Sequence, residues 1–204
     1  MKLGLALSGG GIRGIAHAGV LKALEENNIQ IDAIGGTSSG SIISTLYAMG
    51  YSPYYIYILF KRYAKDLLNQ NSITTITSLK NFMANKKTNF SGFYSGEEIE
   101  NAFNEIAKRK GIKNIADIKI PIVIPAVDIQ DSNEYIFTNN IPNEIENKEK
   151  YITNISIGKA IRASSSFPAV FCPCEFEKHS FLDGGVLDNV PVEEVKKQGA
   201  DIVI

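Results

Sequence analysis

The sequence predicts an α/β domain in which helices layer around a largely parallel sheet. The apolar run Leu3 to Leu7 enters the glycine turn Gly9-Gly10-Gly11-Ile12-Arg13-Gly14, and a helical pattern follows. The same order of strand, glycine turn and helix recurs around Gly36-Thr37-Ser38-Ser39-Gly40. Beyond these units, short β-rich runs keep alternating with stretches of helical periodicity, which is the grammar of a layered fold.

Each element has its own signal. Ile12 to Asn27 carries Ile12, Ile15, Ala16, Val20, Leu21 and Leu24 at helical spacing. Ile29 to Ile34 reads as the second strand, and Ser41 to Met49 as the second helix, stopped by Gly50. Tyr54 to Leu68 is a third helix whose Ile56, Leu59, Phe60, Tyr63 and Leu67 define one buried stripe. Core packing is therefore the expected role of its aromatic residues, ahead of a lipid-facing one. Gln70 to Ser95 is polar and without period, a surface excursion. Glu97 to Lys110 is a helix ended by Gly111, and Ile120 to Val127 is a β-rich run interrupted by Pro121 and Pro125. Glu134 to Thr138 reads as a strand and Asn143 to Lys150 as a solvated loop. Ser156 to Ala163 is helical, Phe176 to Leu182 extended, Val192 to Gln198 helical and Asp201 to Ile204 extended.

At 204 residues the chain fits one domain, residues 1–204, and it stops inside an expected strand, as a sequence shorter than its natural gene product would. Its net charge of −1 gives no field to gather nucleic acid. Cys172 and Cys174, two apart on an extended segment, are poorly placed for a disulfide, and with His179 they supply at most three zinc ligands, so neither a bridge nor a metal is expected. Leu3 to Leu7 is too short for a signal or a membrane span, which predicts a cytoplasmic protein.

The two glycine turns supply the halves of an acyl-transfer site. Gly36-Thr37-Ser38-Ser39-Gly40 has the Gly-x-Ser-x-Gly spacing of a nucleophile elbow, where small neighbours let a serine occupy a sharp turn between strand and helix. In Gly9 to Gly14, the N–H groups of Gly10 and Gly11, with Arg13 fixing the loop, could hold an oxyanion. The same segment also fits the dinucleotide fingerprint, but the required carboxylate is misplaced, since Asp32 lies at the start of the second strand. His17 falls mid-helix, His179 reads as a turn or edge residue, and neither follows Asp183 as a hydrolase triad would require. The remaining candidate base is Asp183 in Phe181-Leu182-Asp183-Gly184-Gly185; an Asp-Gly turn role is favoured on its own, while desolvation against Phe181 and Leu182 would make its carboxylate more basic. On residues alone, a dinucleotide-binding oxidoreductase and a catalytically silent lipid-binding module stay open beside the hydrolase.

Ser8 to Gly14, Gly36 to Gly40, Ala163-Ser164-Ser165-Ser166-Phe167-Pro168 and Asp183-Gly184-Gly185 resemble the four blocks of the patatin-like phospholipase family, in that family's order, from Leu5 to about Val192. The resemblance implies a three-layer α/β/α sandwich and a lipid acyl hydrolase with a Ser–Asp dyad. Ser38 would be the nucleophile, Asp183 the base, and Gly10, Gly11 and Arg13 the oxyanion loop, supported by Gly9, Gly14, Gly36, Gly40, Gly184 and Gly185. It further implies a phospholipid or lysophospholipid substrate, transient contact with a membrane surface, and no cofactor, metal or nucleic acid. The chain departs from the family at Ser8, where an aspartate is common.

Overall fold

A computed structural model describes residues 1–65, 95–168 and 170–204. The expected surface excursion, apart from Ser95, and Leu67 of the third helix lie outside the described residues. The strands are β1 (Leu3–Leu7), β2 (Ala33–Gly36), β3 (Ile122–Asp128), β4 (Asn133–Thr138), β5 (Tyr151–Ile152), β6 (Cys174–Phe176), β7 (His179–Asp183) and β8 (Ile202–Val203). The helices are α1 (Ala16–Glu26), α2 (Ser39–Ala48), α3 (residues 53–65), α4 (Glu97–Lys108), α5 (Ile157–Ser164) and α6 (Val192–Lys197).

Along the sheet the order is β5-β4-β3-β2-β1-β8, with β7 paired to β3 and β6 to β7. The contacts β1·β2, β1·β8, β2·β3 and β4·β5 are parallel, and those of β3 with β4, β3 with β7 and β6 with β7 are antiparallel. The central sheet is thus mixed but mostly parallel, flanked by helices. Successive residues of one strand face opposite layers. Ile34, Ile122 and Ile124 join the large core with α1, α2, α4 and α5, while Ala33 and Val123 meet Val195 of α6 on the other face. Phe137 and Phe181 are fully buried and meet edge to face at 5.2 Å. Each such side chain contributes about 1.5–3 kcal/mol by leaving water.

One pairing detail positions the site. β3 bonds β2 only through Ile122 and Val123, and on the same edge it bonds β7 through Ala126 to Asp128. β2 runs parallel to β3 and β7 antiparallel, so β2 and β7 approach each other end to end along one strand. The residues just past Gly36 and at Asp183 are brought together at that junction.

Several boundaries differ from the sequence reading. Asn28 takes a left-handed turn (φ 55°) and the Ile29 N–H donates to the Leu24 carbonyl, so residues 28–32 form the exit of α1 and the strand begins only at Ala33. It then runs through Gly35 and Gly36, and at Gly35 a Cβ would stand 2.5 Å from Val195 Cγ2, so α6 lies this close to the sheet only over a glycine. The first helix opens with a 3-10 turn over Gly11–Ile15, which leaves Ile12 and Val20 exposed and turns Ala18, Leu21 and Leu24 inward. Phe176 to Leu182 is a hairpin, broken where Glu177 adopts a φ of 52°. In α3, Ile56 and Phe60 are buried, Leu59 and Tyr63 half-buried, and Tyr54 stands outward. Cys172 and Cys174 remain thiols.

Candidate active site

The turn from β2 into α2 is set by two absent side chains. A Cβ at Gly36 would lie 2.3 Å from the Gly40 carbonyl oxygen, and one at Gly40 would lie 2.3 Å from the Leu7 carbonyl oxygen. Between them Ser38 adopts φ 53° and ψ −120°, a conformation that costs a non-glycine residue about 1–3 kcal/mol. The surroundings hold it there. Thr37 is buried, its N–H donating to Leu7 O (3.1 Å) and its hydroxyl to Asp188 O (2.9 Å). The Ser38 N–H donates to the Ser164 hydroxyl at 3.1 Å. α2 is buried on nearly every side, so its N-terminus is rigidly fixed.

Asp183 ends β7 with 2 % of its surface exposed. Its Oδ1 accepts the Gly185 N–H at 2.8 Å. Its Oδ2 is buried without a partner of regular hydrogen-bond geometry among the described residues, although the Ser38 hydroxyl is near enough to favour the carboxylate. Burial is the larger influence and pushes the Asp183 pKa above the ordinary carboxylate range, against the lowering by Ser38 and Gly185. Gly184 is required because a Cβ there would meet the Pro125 carbonyl oxygen at 2.4 Å.

The first glycine turn folds over Ser38. A Cβ at Gly9 would come within 2.6 Å of Asn189 Oδ1 and 3.2 Å of Ser38 Cβ, and one at Gly14 within 2.5 Å of Ser39 Oγ. Gly9 N–H donates to Asn189 O, whereas the N–H groups of Gly10, Gly11 and Ser39 have no acceptor among the described residues. Arg13 closes the turn through its backbone, N–H to Gly10 O at 3.3 Å, and its side chain is exposed on the cleft wall. Gly9, Gly10, Gly11, Arg13, Ser38, Asp183 and Gly185 line one cleft of about 650 Å³, completed by apolar Ile12, Ile42, Phe60, Tyr63, Val170 and Phe171. Gly14, Gly36, Gly40 and Gly184 stand behind that lining.

Neither histidine lines the cleft. His17 Nε2 lies 2.9 Å from the Ser8 carbonyl oxygen. His179, expected at a turn or edge, directly follows the turn at Glu177 and Lys178 as the first residue of β7, and its side chain is buried, with Nδ1 2.6 Å from Asp128 Oδ2 and its ring against Tyr135 and Phe181. Asp32 is tied to the start of the sheet by the Leu3 N–H (2.8 Å), away from the strand end where a dinucleotide ribose would need it. Among the described residues no three His, Cys, Asp or Glu side chains cluster to hold a metal. Sequence reasoning missed Asn189, Asp128 and the Ser39 N–H; Ser164 lay inside a recognised block without a role.

The layered fold thus brings a strained serine and a buried aspartate into one cleft beneath a glycine turn. The family model of the patatin-like phospholipases matches residues 5–196, and the chain belongs to that family. It is similar to the lysophospholipase NTE1 of Meyerozyma guilliermondii, 34% identical over 202 residues, which cover 99% of this chain and 12% of that protein. The Saccharomyces cerevisiae lysophospholipase NTE1 is 32% identical over 204 residues, 98% of this chain and 10% of its own length. Among solved structures, ExoU in its complex with SpcU from the Pseudomonas aeruginosa type III secretion system resembles the fold with a TM-score of 0.53 at 23% identity, over 96% of this chain and 40% of that one. This chain therefore spans a small part of the length of the curated relatives it matches. No helix among the described residues is long and apolar enough to cross a membrane.

Proposed function

We propose that the chain is a serine acyl hydrolase that cleaves carboxylic esters of lipids, of phospholipase A or lysophospholipase type. The observation that carries this reading is the junction of β2 and β7, where Ser38 and the buried Asp183 share a cleft with unpaired backbone N–H groups.

Asp183 takes the Ser38 hydroxyl proton as Oγ attacks the ester carbonyl carbon. The oxyanion is met by the N–H groups of Gly10 and Gly11, with the Ser39 N–H as a further donor. Collapse breaks the bond to the alcohol, which leaves with the proton from Asp183, and the acyl group stays on Ser38. A water then gives its proton to Asp183 and attacks the acyl carbon, and the fatty acid departs as Ser38 recovers its proton. The apolar cleft wall suits an acyl chain, and exposed Ile12 and Phe167 at the cleft suit transient contact with a lipid surface. The relatives' designation as lysophospholipases supports a phospholipid or lysophospholipid substrate.

A fluorophosphonate probe tests the reading, since only an activated serine reacts. Labelling at Ser38, with fatty acid released from a panel of defined phospholipids and lysophospholipids, is the expected result. An unlabelled wild-type protein without ester hydrolysis would leave a lipid-binding module.

A further inference from the structure

The block Ala163 to Pro168 takes no part in the reaction written above, yet it touches both of its residues. Ser164 is the last residue of α5 and fully buried, and its hydroxyl accepts the Ser38 N–H at 3.1 Å across 126 residues of sequence. Two residues on, the Ser166 carbonyl accepts the Asp183 N–H at 3.0 Å. One short turn thus grips the nucleophile by its amide and the base by its amide. We propose that the Ser164–Ser166 turn is a clamp that sets the geometry of the dyad, with Ser164 as a positioning residue for Ser38; the inference rests on the reading of Ser38 and Asp183 as that dyad.

The clamp needs a firm base, and α5 provides one. Ser156 caps its first turn by accepting the Lys159 N–H. The Gly158 N–H donates to Asn104 Oδ1 at 2.8 Å, and a Cβ at Gly158 would collide with the Glu100 carbonyl oxygen at 1.9 Å, so α4 and α5 pack backbone to backbone. On the same contact Glu100 pairs with Lys159 at 2.8 Å and with Arg162 at 3.0 Å, all three side chains being largely buried. At the far end the Ser166 hydroxyl returns a hydrogen bond to Arg162 O at 2.8 Å, tightening the turn.

Two chemical consequences follow. Ser38 sits at a positive φ that its own backbone disfavours, and the hydrogen bond from its amide is one of the contacts that over-determine the conformation. Moreover, the Ser38 N–H is already used, so the oxyanion falls to the N–H groups of Gly10, Gly11 and Ser39. Loss of the Ser164 acceptor would free that amide and let the nucleophile drift, and a misplacement near 1 Å costs on the order of 10²-fold in rate.

The test compares wild type, Ser164→Ala and Ser164→Cys, the last keeping the volume with a weaker acceptor. Three measurements are made: the rate of fluorophosphonate labelling, kcat and KM on a soluble acyl ester, and hydrogen exchange at the Ser38 amide. Ser164→Ala is expected to label and turn over on the order of 10²-fold more slowly with KM near wild type. Its Ser38 amide exchanges faster, and Ser164→Cys falls between the two. Ser164→Ala labelling within twofold of wild type, or an unchanged Ser38 amide, overturns the clamp. Should Ser164→Ala not fold, Ser164→Cys decides, and wild-type labelling and exchange there overturn it equally. An unreactive wild type would instead remove the hydrolase reading, and with it the dyad that the clamp serves.

Discussion

His179 and Asp128 hold each other inside the sheet, Nδ1 to Oδ2 at 2.6 Å, four residues before Asp183 on the same strand. Asp128 also accepts N–H bonds from Ser180 and Gln130 at 3.1 Å each, so its buried carboxylate is fully engaged. The pair joins β7 to β3 at the end away from the cleft.

His179→Ala should therefore act on stability and spare the chemistry. It removes one hydrogen bond to a charged group, a loss of about 1.5–3 kcal/mol, and leaves a space beside Tyr135 and Phe181. A clearly lowered Tm is expected, with ester hydrolysis per folded molecule within about tenfold of wild type. A loss of 10²- to 10⁴-fold in folded protein would instead make imidazole the general base.

Ser38 separates function from folding in the opposite sense. Its φ of 53° and ψ of −120° suit glycine better than serine, so Ser38→Gly should fold at least as stably as wild type while losing labelling and hydrolysis entirely. Chemical denaturation with an activity assay checks both halves. Residual hydrolysis at the wild-type rate would dismiss Ser38 as nucleophile.

The glycines divide by what surrounds them. Gly11 has φ +58° and open space around its missing Cβ, so Gly11→Ala costs only the left-handed strain of about 1–2 kcal/mol and should fold. Its expected defect is in kcat, by disturbing a proposed oxyanion donor. Gly40→Ala drives a methyl against the Leu7 backbone and should fail to accumulate as folded protein. Equal folding defects in the two variants, read by circular dichroism, would contradict this division.

What the sequence made legible follows the local physics. Glycine spacing marked both turns, since a Cβ at Gly14 would strike Ser39 and one at Gly40 the Leu7 carbonyl. The alternation of helix and strand marked the layered sheet. The end-to-end meeting of β2 and β7 on one edge of β3 could not be read, because it depends on long-range pairing and reversal of one strand. The burial of His179 was hidden for the same reason, its partner lying 51 residues away. The role of Ser164 depends on a contact 126 residues distant, for which serine in a polar run gives no local sign.

The last prediction sets activity and stability against each other along the pH axis. In the proposed reaction Asp183 must be ionised to accept the Ser38 proton, and burial raises its pKa, so the acid limb of kcat/KM should lie above the range of an ordinary carboxylate and activity should rise with pH through it. Glu134, by contrast, is pushed up to about 7, first by burial and then by Asp188 and Glu194, against a smaller pull from Lys197 and Lys150. In the unfolded chain its pKa is near 4.5. Between those values the folded state keeps a proton that the unfolded chain has lost, so stability from this site falls as pH rises from about 4.5 to about 7 and stays reduced above. Glu134→Gln removes the titration, and its gain over wild type in denaturant midpoint should therefore be larger at pH 8 than at pH 5. Its kcat/KM profile should keep the Asp183 limb unmoved. A stability difference independent of pH would show that Glu134 does not titrate in this window, and a shifted activity limb would assign that limb to Glu134 rather than to Asp183.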